Sequence, residues 1–144
     1  TPKNFSVLTG TDLSELVDAA GGLKEKIAKA ISGGPMMGFA MYTTDTPITK
    51  TSSSILCMSK DEVSACEPTA CINCGRCVDA CPSRIIPSRL ADFAERHDEE
   101  AFLKFNGLEC VECGSCSYVC PAKRQLKQAI GSMRKTALAN KKKK

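Results

Sequence analysis

Tryptophan is absent, aromatic residues make up 5% of the chain, and His97 is the single histidine in 144 residues. So few aromatics leave no base-stacking platform, which sets aside a single-stranded nucleic-acid surface. One histidine excludes His-rich metal sites and argues against a Ser-His-Asp or Cys-His catalytic machine. No apolar run approaches the roughly 20 residues that a membrane-spanning helix needs. The length suits one domain or two small ones, each with a modest core. Cysteine is the residue in excess. There are ten, and eight of them fall between Cys71 and Cys120, so the composition points to cysteine-ligated metal.

An even cysteine count also fits a disulfide framework, but the spacing argues otherwise. Cys71, Cys74, Cys77 and Cys81 are followed by Pro82, and Cys110, Cys113, Cys116 and Cys120 by Pro121. Both runs read C-x2-C-x2-C-x3-C-P, the bacterial pattern for iron–sulfur clusters. A structural zinc site usually takes two C-x2-C pairs, whereas each run here supplies a triplet.

A [4Fe–4S] cube needs four thiolates around it. Three cysteines at intervals of three sit on one tight loop that wraps three corners, where backbone N–H groups can donate to sulfur and tune the potential. In two-cluster proteins the fourth cysteine of each run ligates the other cluster. The expected sets are Cys71, Cys74, Cys77 and Cys120 for one cube, and Cys110, Cys113, Cys116 and Cys81 for the other. Pro82 and Pro121 can start the segments that lead the chain away from each loop.

The runs are an internal repeat, in which Cys71 recurs as Cys110 and Cys81 as Cys120. Gly75 and Gly114 match, and glycine lets the backbone approach a cube without a Cβ in the way. Between the runs, Ile86-Pro87-Ser88 begins a helical stretch in which Leu90, Phe93 and Ala94 recur at i, i+3, i+4. Asp98 is a plausible N-cap for a second helix through Ala101, Phe102 and Phe105, with Gly107 as its stop. Two helices between the motifs predict a mainly helical ferredoxin-like module. A βαβ-type ferredoxin repeat with a helical insertion is the alternative.

The N-terminal half differs. Phe5 and Val7 alternate as in a short strand. Asp12 with Glu15 forms an N-terminal capping pattern, Leu13, Leu16, Val17 and Ala20 make one apolar face, and Gly21-Gly22 ends it. The spacing therefore predicts a helix over residues 12–20. Ile27, Ala28, Ala30 and Ile31 fit a strand or a helix equally well. Ser32-Gly33-Gly34-Pro35 is a turn, and Ile55-Leu56-Cys57-Met58 reads as a short buried strand. The expected organisation is a small α+β unit over 1–60, a polar connector over 61–70, a two-cluster domain over 71–122 and a basic helix and tail over 123–144.

Charge is uneven. Residues 121–144 hold nine basic residues and no acid, and the remainder carries 11 basic and 16 acidic residues, against a net charge of +4 overall. Each oxidised cube with its four thiolates adds a formal charge of about −2. The basic segment reads as a helix with Leu126, Ile130, Met133 and Ala137 on one side. It is read as a solvated end that offsets the acidic balance. A contact with anionic lipid, worth about 1 kcal/mol per nearby Lys or Arg, is the functional alternative, as is contact with an acidic partner such as ferredoxin. Nothing beyond charge supports nucleic acid.

Gly33-Gly34-Pro35-Met36-Met37-Gly38, then Pro47-Ile48-Thr49-Lys50-Thr51, then the two cysteine runs with Ser117-Tyr118-Val119-Cys120-Pro121 resemble the C subunit of the Rnf complexes, bacterial ion-translocating ferredoxin:NAD+ oxidoreductases. The resemblance covers nearly the whole chain. It implies an α+β chain: a ligand-binding β-grasp (SLBB-like) domain, truncated at its N-terminus because a strand is expected just ahead of Thr1, followed by a mainly helical two-[4Fe–4S] ferredoxin-like domain. It also implies an electron relay in a membrane-associated oxidoreductase, with other subunits of that complex, and ferredoxin, as partners. Peripheral attachment at the cytoplasmic face of the bacterial cell membrane follows from the same resemblance. Flavin mononucleotide and NADH are expected only in a domain upstream of this chain, so no complete catalytic site is expected within it. The cobalamin reductase of propanediol-degrading microcompartments is similar in layout, and a zinc-stabilised interaction module is the alternative of a different class.

The remaining residues have plain readings. The Gly33–Gly38 stretch is a tight turn, with contact to a flavin or partner as the alternative. Met36, Met37 and Met41 are expected to fill core space. Cys57 is structural, Cys66 is spare, and His97, in the charged stretch from Glu95 to Glu100, is a solvated surface residue.

Overall fold

The computed structural model describes residues 2–23 and 25–142. The chain forms two compact units, Thr1–Ala65 and Cys66–Lys144.

The first unit joins helix α1 (Leu13–Ala19) to a three-stranded antiparallel sheet of order β2-β1-β3, with β1 at Lys29–Ser32, β2 at Phe39–Met41 and β3 at Ile55–Met58. Of the ambiguous Ile27–Ile31 segment, Lys29–Ile31 fall in the central strand, and Ile27 and Ala28 lead into it. Ala30 pairs with Met41 on one side and Cys57 on the other, and Ala30 and Ile31 are buried. Strand β2 was not expected from the sequence. It is three residues long and largely exposed, so it carries no apolar alternation, and its place is set by the turn before it. That turn is closed by the Gly38 N–H donating to the Gly34 carbonyl at 2.8 Å. A Cβ at Gly38 would lie 2.6 Å from the Ser32 oxygen, so only glycine fits there.

Helix α1 starts and stops where the pattern predicts, and the left-handed Gly21 (φ 103°) and Gly22 (φ 72°) end it. Asp12 holds the N-cap position without a side-chain bond to the helix. The helix start is held instead by backbone bonds to the Pro47 segment: Leu13 N–H to Thr46 O at 3.1 Å, Gly10 N–H to Ile48 O and Ile48 N–H to Thr11 O at 2.8 Å each.

Two expectations fail in this unit. Residues 2–8 carry no regular structure, and Phe5 and Val7 are each 40% exposed. An alternating pair makes no strand without a neighbour to take its N–H and C=O groups, and no strand pairs with it among the described residues. Met36 and Met37 do not fill a core. They sit on the β1–β2 turn, 42% and 64% exposed, because a tight turn has no interior. Strand β3 forms as predicted, half-buried rather than buried.

The second unit is helical, with no strand among its described residues: α2 (Arg76–Asp79), α3 (Pro87–Glu95), α4 (Glu99–Lys104), a 3-10 turn at Gly107–Glu109, α5 (Ser115–Tyr118) and α6 (Leu126–Lys142). Pro87 opens α3 at its first turn, where a missing N–H costs nothing. Asp98 caps α4 as predicted, its carboxylate accepting from the Ala101 N–H at 3.0 Å. The stop after α4 is left-handed Asn106 (φ 59°), not Gly107. Gly107 serves packing, because a Cβ there would run into the ring of Phe102. The core lies where α3 and α6 cross: Leu90, Ala91, Phe102, Leu126 and Ile130 are buried with Cys116, and Cys77, Cys81, Cys110 and Cys120 pack against them. The four apolar residues expected on one side of the basic helix, Leu126, Ile130, Met133 and Ala137, are among those α6 buries.

Candidate metal centres

The first two cysteines of each triplet lie on a loop, and the third lies in the one-turn helix that follows, Cys77 in α2 and Cys116 in α5. The backbone repeats with the sequence. Asn73 (φ 55°) matches Glu112 (φ 53°), Gly75 (φ 78°) matches Gly114 (φ 85°), and Arg84 (φ 52°) matches Lys123 (φ 53°). The offset that carries Cys71 to Cys110 also carries the start of α2 to the start of α5, and the start of α3 to the start of α6. Left-handed residues at the same two loop positions turn the chain so that three side chains with sulfur face one side, and Gly75 and Gly114 adopt that conformation at no steric cost.

Two cavities lie beside these loops. One, of about 110 Å³, is lined by Cys71, Cys74 and Cys77 and also by Cys120, with Ser88, Arg124 and Leu126 behind them. The other, of about 20 Å³, is lined by Cys110, Cys113 and Cys116 and also by Cys81, with Glu112, Lys127 and Ile130. Each cavity thus brings together one triplet and the last cysteine of the other run. Thr69 N–H donates to Ala122 O at 3.0 Å, which holds the approach to the first loop beside the turn after Cys120. Among the described residues no three His, Cys, Asp or Glu side chains converge on a point that would hold a single ion. A cube spreads its thiolates over four irons, so its ligands need not meet at one point.

The two loops differ in exposure. Cys74 is exposed and Cys71 and Cys77 are half-buried, whereas Cys116 is buried. Burial pushes the Cys116 thiol up to about 11, because a thiolate there loses water. Cys110 is also raised, first by burial, although the Glu112 N–H donates to its sulfur at 3.4 Å. Cys113 is lowered, chiefly by the Ser115 hydroxyl 3.4 Å from its sulfur. Buried thiolates need a cation to replace the lost water, and iron bound by these cysteines would supply that charge. The donor set, eight cysteines in two half-buried groups of four, fits a soft metal and fits iron–sulfur cubes.

Charged side chains tie the loops to the helices. Arg124, beside Cys120, donates to Asp92 at 2.9 Å and to both oxygens of Glu95 at 2.9 and 3.0 Å. Burial alone would lower its basicity, but these two carboxylates hold it above the ordinary arginine value. Arg134 donates to Glu112 and to the Leu108 carbonyl at 3.2 Å each. Ser117 accepts the Lys127 N–H at 2.9 Å and so satisfies one of the open donors at the start of α6. The sequence reading missed these residues. The signal for Glu112 was there, since it breaks the repeat where Asn73 stands in the first run.

Cys57 lies on β3, half-buried, and Cys66 is exposed ahead of the first loop. Neither lines a cysteine cavity. His97 is exposed, as expected, in a left-handed turn (φ 56°) between α3 and α4.

Residues 70–124 match the family model for a 4Fe-4S dicluster domain, and residues 1–40 match the SLBB domain. The chain is 50% identical over 130 residues to the C subunit of the proton-translocating ferredoxin:NAD(+) oxidoreductase complex of Clostridium ljungdahlii, covering 90% of this chain and 28% of that protein. It is 39% identical over 142 residues to the C subunit of the Na(+)-translocating ferredoxin:NAD(+) oxidoreductase complex of Acetobacterium woodii, covering 99% and 32%. It is 43% identical over 129 residues to the C subunit of the ion-translocating oxidoreductase complex of Methanosarcina acetivorans, covering 90% and 29%. The chain spans less than a third of the length of these relatives.

Proposed function

We propose that this homologue of the Rnf C subunit, an α+β chain with an SLBB and a 4Fe-4S dicluster domain, relays electrons through two [4Fe–4S] clusters in an ion-translocating ferredoxin:NAD oxidoreductase complex. The observation that carries the reading is the grouping of the eight cysteines: Cys71, Cys74, Cys77 and Cys120 at one cavity, Cys110, Cys113, Cys116 and Cys81 at the other. These are the ligand sets assigned to the two clusters. A bound cube supplies a one-electron couple, with a potential set by net charge, hydrogen bonds to sulfur and exposure. The residues of the chain do the rest. The left-handed loops present the thiolates, the α3–α6 core shields one side of each group, and the exposed rim at Cys74 leaves a short path to a partner.

Flavin mononucleotide and NADH belong, in this reading, to a part of the protein upstream of the chain, since hydride must be split into single electrons before a cube can take them. The partners are the other subunits of the complex, with ferredoxin as electron donor or acceptor. Among the described residues no helix is long and apolar enough to cross a membrane, and the proposed attachment is peripheral, at the cytoplasmic face.

The test is iron and acid-labile sulfide counting on anaerobically prepared chain. About eight of each per chain are expected, four irons and four sulfides for each of the two cysteine sets. A colourless protein with stoichiometric zinc and no sulfide would make it an interaction module instead.

A further inference from the structure

The two cysteine groups are related by the repeat, but their surroundings are not. Arg134, on α6, reaches the second loop on both sides of Cys110. Its Nε donates to the Leu108 carbonyl and its Nη1 to Glu112 Oε1, each at 3.2 Å. Glu112 follows Cys110 by two residues, lines the cavity of that group, and donates its own N–H to the Cys110 sulfur at 3.4 Å. The other carboxylate oxygen lies against buried Gly131, where a Cβ would stand 3.0 Å from it. Helix α6 thus provides a charge partner one turn from a residue without a side chain, and the carboxylate fits between them.

The first half cannot build this clamp. The repeat places Thr69 where the second half has Leu108, Asn73 where it has Glu112, and Glu95 where it has Arg134. Glu95 is an acid, and it is bonded to Arg124. At the first centre the charge on the cavity wall is Arg124, whose partners Asp92 and Glu95 do not line the cavity, so an acid on the wall with its own cation, Glu112 with Arg134, stands beside one centre only. Both members are partly buried, with side chains 31% and 24% exposed, so water screens the pair only in part.

We infer that Arg134 is a positioning residue for the centre of Cys110, Cys113, Cys116 and Cys81, which offsets the Glu112 carboxylate and fixes the Cys110 loop, and so sets the reduction potential of that centre apart from its repeat-related twin. The inference rests on the reading that these cysteines hold a cluster. Reduction adds a negative charge to a cube that is already anionic. A bare carboxylate beside it opposes that step, and a guanidinium bonded to the carboxylate relieves the opposition. Loss of the clamp also frees the loop that aims the Glu112 N–H at the Cys110 sulfur.

The experiment is a redox titration of the full chain with reconstituted clusters, followed by electron paramagnetic resonance. The component lost in Cys113→Ala identifies the second centre. Arg134→Gln is expected to move that component to lower potential and leave the other in place. Glu112→Gln should move the same component upward, the double variant should return it toward the parent, and Arg134→Lys should stay nearer the parent than Arg134→Gln. With both clusters present, a potential unmoved in Arg134→Gln, or both components moving together, overturns the inference. Should Arg134→Gln fail to hold its second cluster, the near-isosteric Glu112→Gln decides, and an unmoved or lowered potential there overturns it. A parent chain without labile sulfide overturns the cluster reading itself, a result distinct from two clusters with unmoved potentials.

Discussion

The backbone N–H of Thr69 donates to the carbonyl of Ala122 at 3.0 Å, joining the two ends of the cysteine-rich region. This one bond holds the segment before Cys71 next to the turn after Cys120, and Cys120 lines the cavity of the first triplet. The two halves of the internal repeat meet in this way, and each cavity is lined by one triplet and the last cysteine of the other run.

Crossed ligation has a direct genetic readout. Cys81→Ala is expected to degrade the cluster held by Cys110, Cys113 and Cys116, and Cys120→Ala the cluster held by Cys71, Cys74 and Cys77. Resonance spectra of each variant, compared with triplet variants from both loops, report which centre is damaged. Damage to the cluster of the same run in each case would refute the crossing.

Gly107→Ala should destabilise the second unit by about 1–3 kcal/mol, the usual cost of overpacking a filled core, since the new methyl group meets the Phe102 ring. Asn106→Gly keeps the left-handed conformation open, so it should leave the melting temperature nearly unchanged. Thermal unfolding of both variants separates the packing role of Gly107 from the helix-ending role of Asn106. A harmless Gly107→Ala would contradict the packing account.

Lys29 holds the Asp61 carboxyl below its ordinary value through a 2.7 Å contact. A depressed carboxyl contributes stability above its unfolded value, and that contribution is lost as pH falls through the lower folded value. Melts of the parent and Lys29→Met should therefore differ at neutral pH and converge in acid below about pH 4. The gap is expected to be small, because the pair is at the surface. A gap that widens in acid would reverse the assignment.

The chain holds no Gly-rich phosphate fingerprint of the kind a dinucleotide fold needs. Its glycine-rich stretch is the β1–β2 turn, in which Pro35 lacks an N–H for a phosphate. The chain with its clusters is expected to be bleached by dithionite but not by NADH, and a flavin-bearing partner should restore NADH-dependent reduction. Absorbance near 400 nm follows both reactions. Rapid bleaching by NADH without flavin would show that the division between hydride and one-electron chemistry is wrong.

Features set within a turn or two of chain were legible in the sequence. The glycine stop of α1, the Asp98 cap, the proline that opens α3 and the buried stripe of α6 depend on neighbours three or four residues away. Strand β2 was not legible, because three residues, two of them exposed, gain their conformation only from pairing with β1. Nor was the unpaired state of Phe5 and Val7, since alternation marks a strand only when another strand lies beside it.

The sequence by itself determined the two matched cysteine loops. Cysteine spacing, the paired glycines Gly75 and Gly114 and the exact recurrence of one run in the other fix local geometry and donor chemistry together, and both act over a few bonds. Only the tertiary structure decided that Arg134 meets Glu112 while Arg124 meets Asp92 and Glu95, and that Gly107 lies under Phe102. Those pairings depend on how α3 and α6 cross. The crossing follows from burying Leu90, Phe102 and Ile130 in one core, a condition on the whole second unit that no short window of sequence contains.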